Sequence, residues 1–237
     1  REVRRALEAT VRPCEVFVSD SHLQDPEIQS MTALFAAAEI ELTPVTSQVF
    51  DKIAFGNRSD GIVLVAEQPQ LTLDQLSVPD HALVCVMEGI EKPGNLGAVV
   101  RTADAAGLAA VIVAGGGTDL YNHNAIRASM GAVFQLPLCS APAPDVLDWL
   151  REHRFSVFAA RVGMGLNYAQ ADYRGRSALV LGSEANGRSD IWMGEPITDV
   201  SVPMLGVVDS LNVAATAAVL CYEALRQRQL RADDEPP

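Results

Sequence analysis

The chain has 237 residues, 49% of them apolar, 5% aromatic and 20% charged, with a formal net charge of −12. No apolar run approaches the roughly 20 residues of a membrane span and no signal-peptide pattern opens the chain, so membrane-embedded and secreted classes are set aside and a cytoplasmic location is expected. The acidity runs against nucleic-acid binding through phosphates, although a local basic patch can sit on an acidic protein.

The apolar residues are mainly Ala, Val and Leu, a mix that suits an α/β protein with buried parallel strands. The length allows one large domain or two modest ones. Cys14, Cys85, Cys139 and Cys221 are scattered without a C-x-x-C pair, and read as small buried hydrophobes in a reducing compartment. The four histidines are equally dispersed, and no metal site is expected.

Taken in chain order, residues 1–12 resemble the end of an amphipathic helix that opens within its own pattern, so the start of this domain is expected to be truncated. Cys14–Ser19 alternates like a strand. Asp25-Pro26-Glu27 is a helix start, and the helix runs to about Glu39. A short strand near Glu41–Pro44, a helix from Ser47 and the apolar run Gly61–Ala66 complete a small α/β unit. Residues 67–80 are polar, hold two prolines, and read as a linker with one short turn.

Beyond the linker, short apolar runs at Leu83–Met87, Ala110–Ala114, Ser156–Ala160 and Ala178–Gly182 alternate with helical stretches at Asn95–Ala106 and Pro144–His153. That alternation predicts a parallel sheet covered by helices on both faces. Ligands of such sheets bind beyond the carboxyl ends of the strands, so three strand ends matter most. After the first run, Pro93-Gly94 breaks the chain, Asn95 can cap the next helix, and Gly97 admits a close approach by backbone or ligand. Arg101 follows on that helix with the small residues Gly97 and Ala98 behind it, and Gly107 ends it. After the Ala178–Leu181 strand comes the turn Gly182-Ser183-Glu184-Ala185-Asn186-Gly187, whose Glu184 could pair with Arg101. After a short strand at Asp199–Val202 comes an apolar segment through Val208. Asp209 or Ser210 is then expected to cap a long helix, Leu211–Gln229. An apolar loop ahead of a helix is expected to be buried, in a cofactor pocket or against another subunit.

No G-x-G-x-x-G follows a strand, since Gly115-Gly116-Gly117 lacks the spacing, and no G-x-x-x-x-G-K-[ST] occurs. A nicotinamide-dependent oxidoreductase and a nucleoside-triphosphate enzyme lose ground accordingly.

In order and spacing the three segments resemble the SpoU (TrmH-type) family of the SPOUT superfamily. Its signature is N-x-G-x-x-x-R, then a G-S-E-x-x-G turn, then P-M followed by S-L-N-V. Here these stand as Asn95, Gly97 and Arg101; Gly182, Ser183, Glu184 and Gly187; Pro203, Met204, Ser210, Leu211, Asn212 and Val213. The resemblance runs from about residue 83 to 229. Residues 1–67 resemble, more loosely, the family's ribosomal-protein-like RNA-binding domain. The implied organisation is a substrate-binding domain at 1–67, a linker at 68–80, a methyltransferase domain at 81–230 and a disordered acidic tail at 231–237.

The resemblance implies an α/β fold with a C-terminal trefoil knot, a homodimer, and transfer of a methyl group from S-adenosylmethionine to a ribose 2′-hydroxyl of RNA, ribosomal RNA ahead of transfer RNA. It implies that Gly182, Val202, Met204 and Leu211 hold the cofactor and that Arg101, Asn95, Glu184, Ser210 and Asn212 form the catalytic set. Arg101 would act as a proton acceptor or, since a guanidinium holds its proton, as a clamp on phosphate and developing alkoxide. Arg4, Arg5, Arg12, Lys52 and Arg58 are candidate RNA contacts. Arg127, in an N-x-x-x-x-R-x-S-x-G stretch with Asn122, Ser129 and Gly131, would touch RNA or the partner subunit. A catalytically inactive RNA-binding or ribosome-assembly protein is the alternative.

Overall fold

The computed structural model describes residues 1–9, 11–56, 60–182, 189–194 and 196–234. They fall into two units, Arg1–Pro69 and Gln70–Pro237.

The first unit comprises α1 (Glu2–Glu8), β1 (Pro13–Ser19), α2 (Pro26–Ala37), β2 (Leu42–Val45), α3 (Ser47–Ile53) and β3 (Ile62–Ala66). β1 lies between β2, which is parallel to it, and β3, which is antiparallel. Asp25 caps α2 by accepting from the Glu27 N–H at 2.8 Å, with Pro26 preset for the first turn. Val16 and Val18 of β1 pack on Ile28, Met31 and Phe35 of α2. α1 is shorter than the pattern suggests: it stops at Glu8, and Pro13 then opens β1.

The second unit comprises β4 (Leu83–Glu88), α4 (Pro93–Ala105), β5 (Ala110–Ala114), α5 (His123–Ala128), β6 (Leu138–Ala141), α6 (Ala143–Glu152), β7 (Ser156–Ala160), β8 (Leu166–Asn167), β9 (Ser177–Leu181), β10 (Ile197–Ser201) and α7 (Val213–Asp234). The sheet order is β6-β5-β4-β9-β7-β10-β8, and the described ladders are parallel. β4, β5 and β9 are buried at every position, which is why they read as continuous apolar runs rather than alternating ones. Leu83, Cys85 and Met87 of β4 enter the core that holds Leu96, Val99 and Val100 of α4 and Leu220 and Ala224 of α7. Val84 and Val86 enter the opposite core with Val146, Trp149 and Leu150 of α6. The two-residue period of the strand thus feeds two helical layers.

β9 inserts between β4 and β7 although both precede it in the chain. At the amino ends of the strands two arginines bind backbone carbonyls. Arg228 of α7 donates to the carbonyls of Tyr173 (3.0 Å), Gly175 (2.6 Å) and His81. Arg176 donates to those of Pro79 (3.0 Å), Asp80 (3.1 Å) and His153 (2.9 Å). Burial lowers the Arg228 pKa from its ordinary value. These contacts close the edge of the sheet remote from the strand ends considered next.

Candidate active site

The carboxyl ends of β4 and β9 lie side by side, Met87 pairing with Leu181. α4 starts beyond the first of these, and its start is set by Pro93 rather than by Asn95. Lys92 is the N-cap and makes no side-chain capping bond, so Asn95 sits inside the first turn instead of capping it. Asn95 meets Asn212, whose Nδ2 donates to the Asn95 Oδ1 at 3.4 Å across 117 positions of sequence.

Asn212, not Asp209 or Ser210, caps α7. Its Oδ1 accepts the Ala214 N–H at 3.0 Å, and its carbonyl accepts the Thr216 N–H at 3.0 Å. An amide can accept from backbone while donating elsewhere, and Asn212 uses both capacities. The first and third motif segments therefore meet at one point where α4 and α7 pack together.

Gly97 is where α5 crosses α4. A Cβ there would lie 2.8 Å from the Ala128 Cβ and closer still to the Ala125 carbonyl oxygen, so the glycine serves close packing of backbone. Arg101, about 9 Å further along α4 than Asn95, is exposed, and among the described residues no ion pair engages it. Arg127, on α5, is also exposed. Its neighbours in the motif shape the backbone: Asn122 caps α5 by accepting from the Asn124 N–H at 3.0 Å. The Ser129 hydroxyl, fully buried, donates to the Ile126 carbonyl at 2.9 Å and accepts from the Gly131 N–H at 3.2 Å. The triple glycine after β5 is likewise structural at Gly117, where a Cβ would come within 2.6 Å of the Ile90 carbonyl oxygen at φ +129.

Gly182 and Val202 are half-buried just past β9 and β10, and Met204 is half-buried beyond them. Beyond Met204 the apolar segment after β10 is not covered by its own chain. Leu205 is 98% exposed, Val207 101% and Val208 59%, while Leu211 is 37% exposed and Ser210 is exposed. Within one chain these apolar side chains have no core to enter, since α4, α7 and the sheet already close on one another. Glu184, with Ser183 and Gly187, and Arg58 lie outside the described residues. In the first unit Arg4 donates to the Ser30 Oγ at 2.5 Å, Arg12 pairs with Glu67 at 3.3 Å on the surface, Arg5 is half-buried and Lys52 is exposed.

Glu88 at the end of β4 gave no sequence signal. It is 9% exposed, and its carboxylate accepts both the N–H and the O–H of Ser189, each at 2.6 Å.

Residues 82–222 match the model of the SpoU rRNA methylase family. The chain belongs to that family. Residues 1–72 match a second model, RNA 2′-O ribose methyltransferase substrate binding. A 23S rRNA (guanosine-2′-O-)-methyltransferase RlmB of Bordetella pertussis is 33% identical over 222 residues, 91% of this chain and 89% of that protein. A 23S rRNA (uridine(2479)-2′-O)-methyltransferase of Streptomyces viridochromogenes is 35% identical over 173 residues, 70% of this chain and 60% of that protein. Among solved structures, that of an RNA 2′-O ribose methyltransferase is 39% identical, covers 97% of this chain and 86% of that one, and has a TM-score of 0.82. The SpoU methyltransferase AviRb of S. viridochromogenes, in complex with AdoMet, is 26% identical and covers 97% of this chain and 88% of that one, with a TM-score of 0.86.

Proposed function

We infer that this SpoU-family chain transfers a methyl group from S-adenosylmethionine to a ribose 2′-hydroxyl of ribosomal RNA. The observation that carries the reading is the Asn95–Asn212 hydrogen bond. It joins the helix bearing Arg101 to the segment after β10, at the carboxyl ends of parallel strands where such sheets bind ligands. The groups there fit this cofactor. Gly182 and Val202 offer backbone past two strand ends, and Val202, Met204 and Leu211 supply apolar surface for an adenine and a thioether-like sulfur. The bound cofactor supplies a methyl already activated on sulfonium.

The chain's own contribution is to hold the ribose oxygen in line, and orientation of this kind supplies roughly 7–11 kcal/mol of a barrier. Arg101 grips the phosphate beside the target ribose and stabilises the oxygen as it loses its proton. Asn95 orients that ribose or Arg101. Asn212 holds Asn95, Ser210 lines the pocket, and Glu184 fixes Arg101. In the first unit Arg4, Arg5, Arg12 and Arg58 meet RNA, and Arg127 meets RNA or a partner subunit. The working species is a homodimer, a reading supported by the exposed Leu205, Val207 and Val208. A trefoil knot through the segments after β9 and β10 is supported by the insertion of β9 between earlier strands and the return of α7 onto α4. The cytoplasm is the compartment proposed.

The test is titration of the protein with S-adenosylhomocysteine, followed by methyl transfer to ribosomal RNA by wild type and Arg101→Ala. Micromolar binding, with transfer reduced at least a hundredfold in the variant, is expected. Full transfer by Arg101→Ala sinks the role assigned to it. Absence of both binding and transfer in a folded dimer favours a non-catalytic RNA-binding protein.

A further inference from the structure

We propose that Glu88 is a positioning residue that pins Ser189 beside the carboxyl end of β9, and so shapes the cofactor site at Gly182. The proposal rests on the assignment of Gly182 to the cofactor site. Glu88 is the last residue of β4 and is buried. A buried carboxylate must be hydrogen-bonded to be tolerated. Among the described residues the donors Glu88 meets come from one residue 101 positions away: the Ser189 amide on Oε2 and the Ser189 hydroxyl on Oε1, both at 2.6 Å.

The position of this pair in the fold gives it a purpose. Because Met87 and Leu181 are in register, Glu88 falls beside Gly182. The chain thus departs from the β9 end at Gly182 and is back at the same strand end by Ser189. Three residues on, Trp192 is fully buried and its backbone N–H donates to the Ser189 carbonyl at 3.2 Å, so the return leg is anchored in the core as well. Glu88 therefore holds Ser189 against the strand end at which Gly182 stands.

The residue type is dictated by the donors. A carboxylate offers two acceptor oxygens, one for each donor of Ser189. A glutamine of the same length offers one oxygen and turns an NH2 toward the second donor. A hydrogen bond to a charged acceptor is among the stronger kinds. Among the described residues Glu88 has no ion-pair partner, and Ser189 supplies the hydrogen bonds its carboxylate accepts there. The proton transfer and RNA contacts assigned above make no use of Glu88.

The experiment compares wild type, Glu88→Gln, Ser189→Ala and the double variant, each as the purified full chain. S-adenosylhomocysteine affinity is read by calorimetry, and KM is measured separately for S-adenosylmethionine and for RNA. Glu88→Gln is expected to weaken cofactor binding about tenfold or more and to raise the cofactor KM in parallel, with the RNA KM unchanged. Ser189→Ala, which keeps the amide bond, is expected to weaken binding about threefold, and the double variant to bind no worse than Glu88→Gln alone. A purely structural role would lower the folded fraction and kcat without moving the affinity of the folded molecules. Affinity within twofold of wild type in Glu88→Gln overturns the proposal. Should that variant fail to fold, unchanged affinity in Ser189→Ala overturns it. Failure of wild type to bind S-adenosylhomocysteine at all removes the cofactor assignment itself, a different result from a selective change in the variants.

Discussion

Replacing Gly97 by alanine sets two effects of opposite sign against each other. In a helix interior alanine is better than glycine by about 0.8–1 kcal/mol, so at an open site the change would stabilise. At Gly97 the new Cβ would lie 2.8 Å from the Ala128 Cβ, 3.0 Å from the Ala125 carbonyl carbon and nearer still to its oxygen. Two of these three neighbours are backbone, so relief cannot come from a rotamer change and α5 must move off α4. Overpacking of this kind costs about 1–3 kcal/mol, and a rigid neighbour puts it near the upper end. The net expectation is a loss of about 2 kcal/mol, which for a unit of this size corresponds to about 4–8 °C in melting midpoint. Urea and thermal denaturation of Gly97→Ala check it. A variant as stable as wild type, or more so, would refute the claim that this glycine is there for helix contact.

Two further substitutions probe the core and the exposed loop. Tyr173 is wholly buried with its ring edge-on to Phe158 at 4.7 Å, and among the described residues its hydroxyl has no partner. Burial, with Glu223 and Tyr168 nearby, pushes that phenol above its usual range. Tyr173→Phe removes an unsatisfied group and is expected to raise stability by about 1 kcal/mol in urea; a loss would mean that the hydroxyl is satisfied after all. Leu205→Asp combined with Val207→Asp alters side chains already open to solvent, so the chain's stability should change by less than about 0.5 kcal/mol. The proposed dimer, weighed by sedimentation equilibrium, should dissociate, and an unaltered dimer would remove this loop from the interface.

The strands of the second unit were legible because burial on both faces leaves an unbroken apolar run, as at Leu83–Met87 and Ala110–Ala114. β6 and α5 were not. Leu138–Ala141 mixes Cys and Ser into four residues, and the six of His123–Ala128 are too few to display a helical period. Helix starts were misplaced where the informative residue was a proline at the first turn, as at Pro93, or where one side chain had two uses, as at Asn212. Asp209, Ser210 and Asn212 are equivalent capping residues by local chemistry, and α7 begins after Asn212, the one of the three that also meets Asn95. The apolar composition of residues 202–208 was read as burial in a cofactor pocket or against another subunit; composition states only that cover is favourable, and beyond Met204 the same chain does not supply it. The Glu88–Ser189 pair had no local pattern at all, since a contact across 101 residues exists only once β4 and β9 are neighbours.

A net charge of −12 looked like the main obstacle to an RNA substrate, and the structure shows why the sum misleads. Many arginines are occupied within the chain. Arg161 pairs with Asp199 at 3.0 Å, Arg174 with Asp172 at 2.8 Å and Arg226 with Glu223 at 2.7 Å. Arg176 and Arg228 spend their donors on carbonyls at the amino ends of the strands. Arg101 and Arg127 stand apart from these. Both are exposed, they lie on the two helices that meet at Gly97, and among the described residues neither has a carboxylate partner. Phosphate binding responds to the field within a Debye length, about 8 Å at physiological salt, rather than to a total over the whole surface. On the proposed reading, these two exposed guanidinium groups on a packed helix pair orient a phosphodiester.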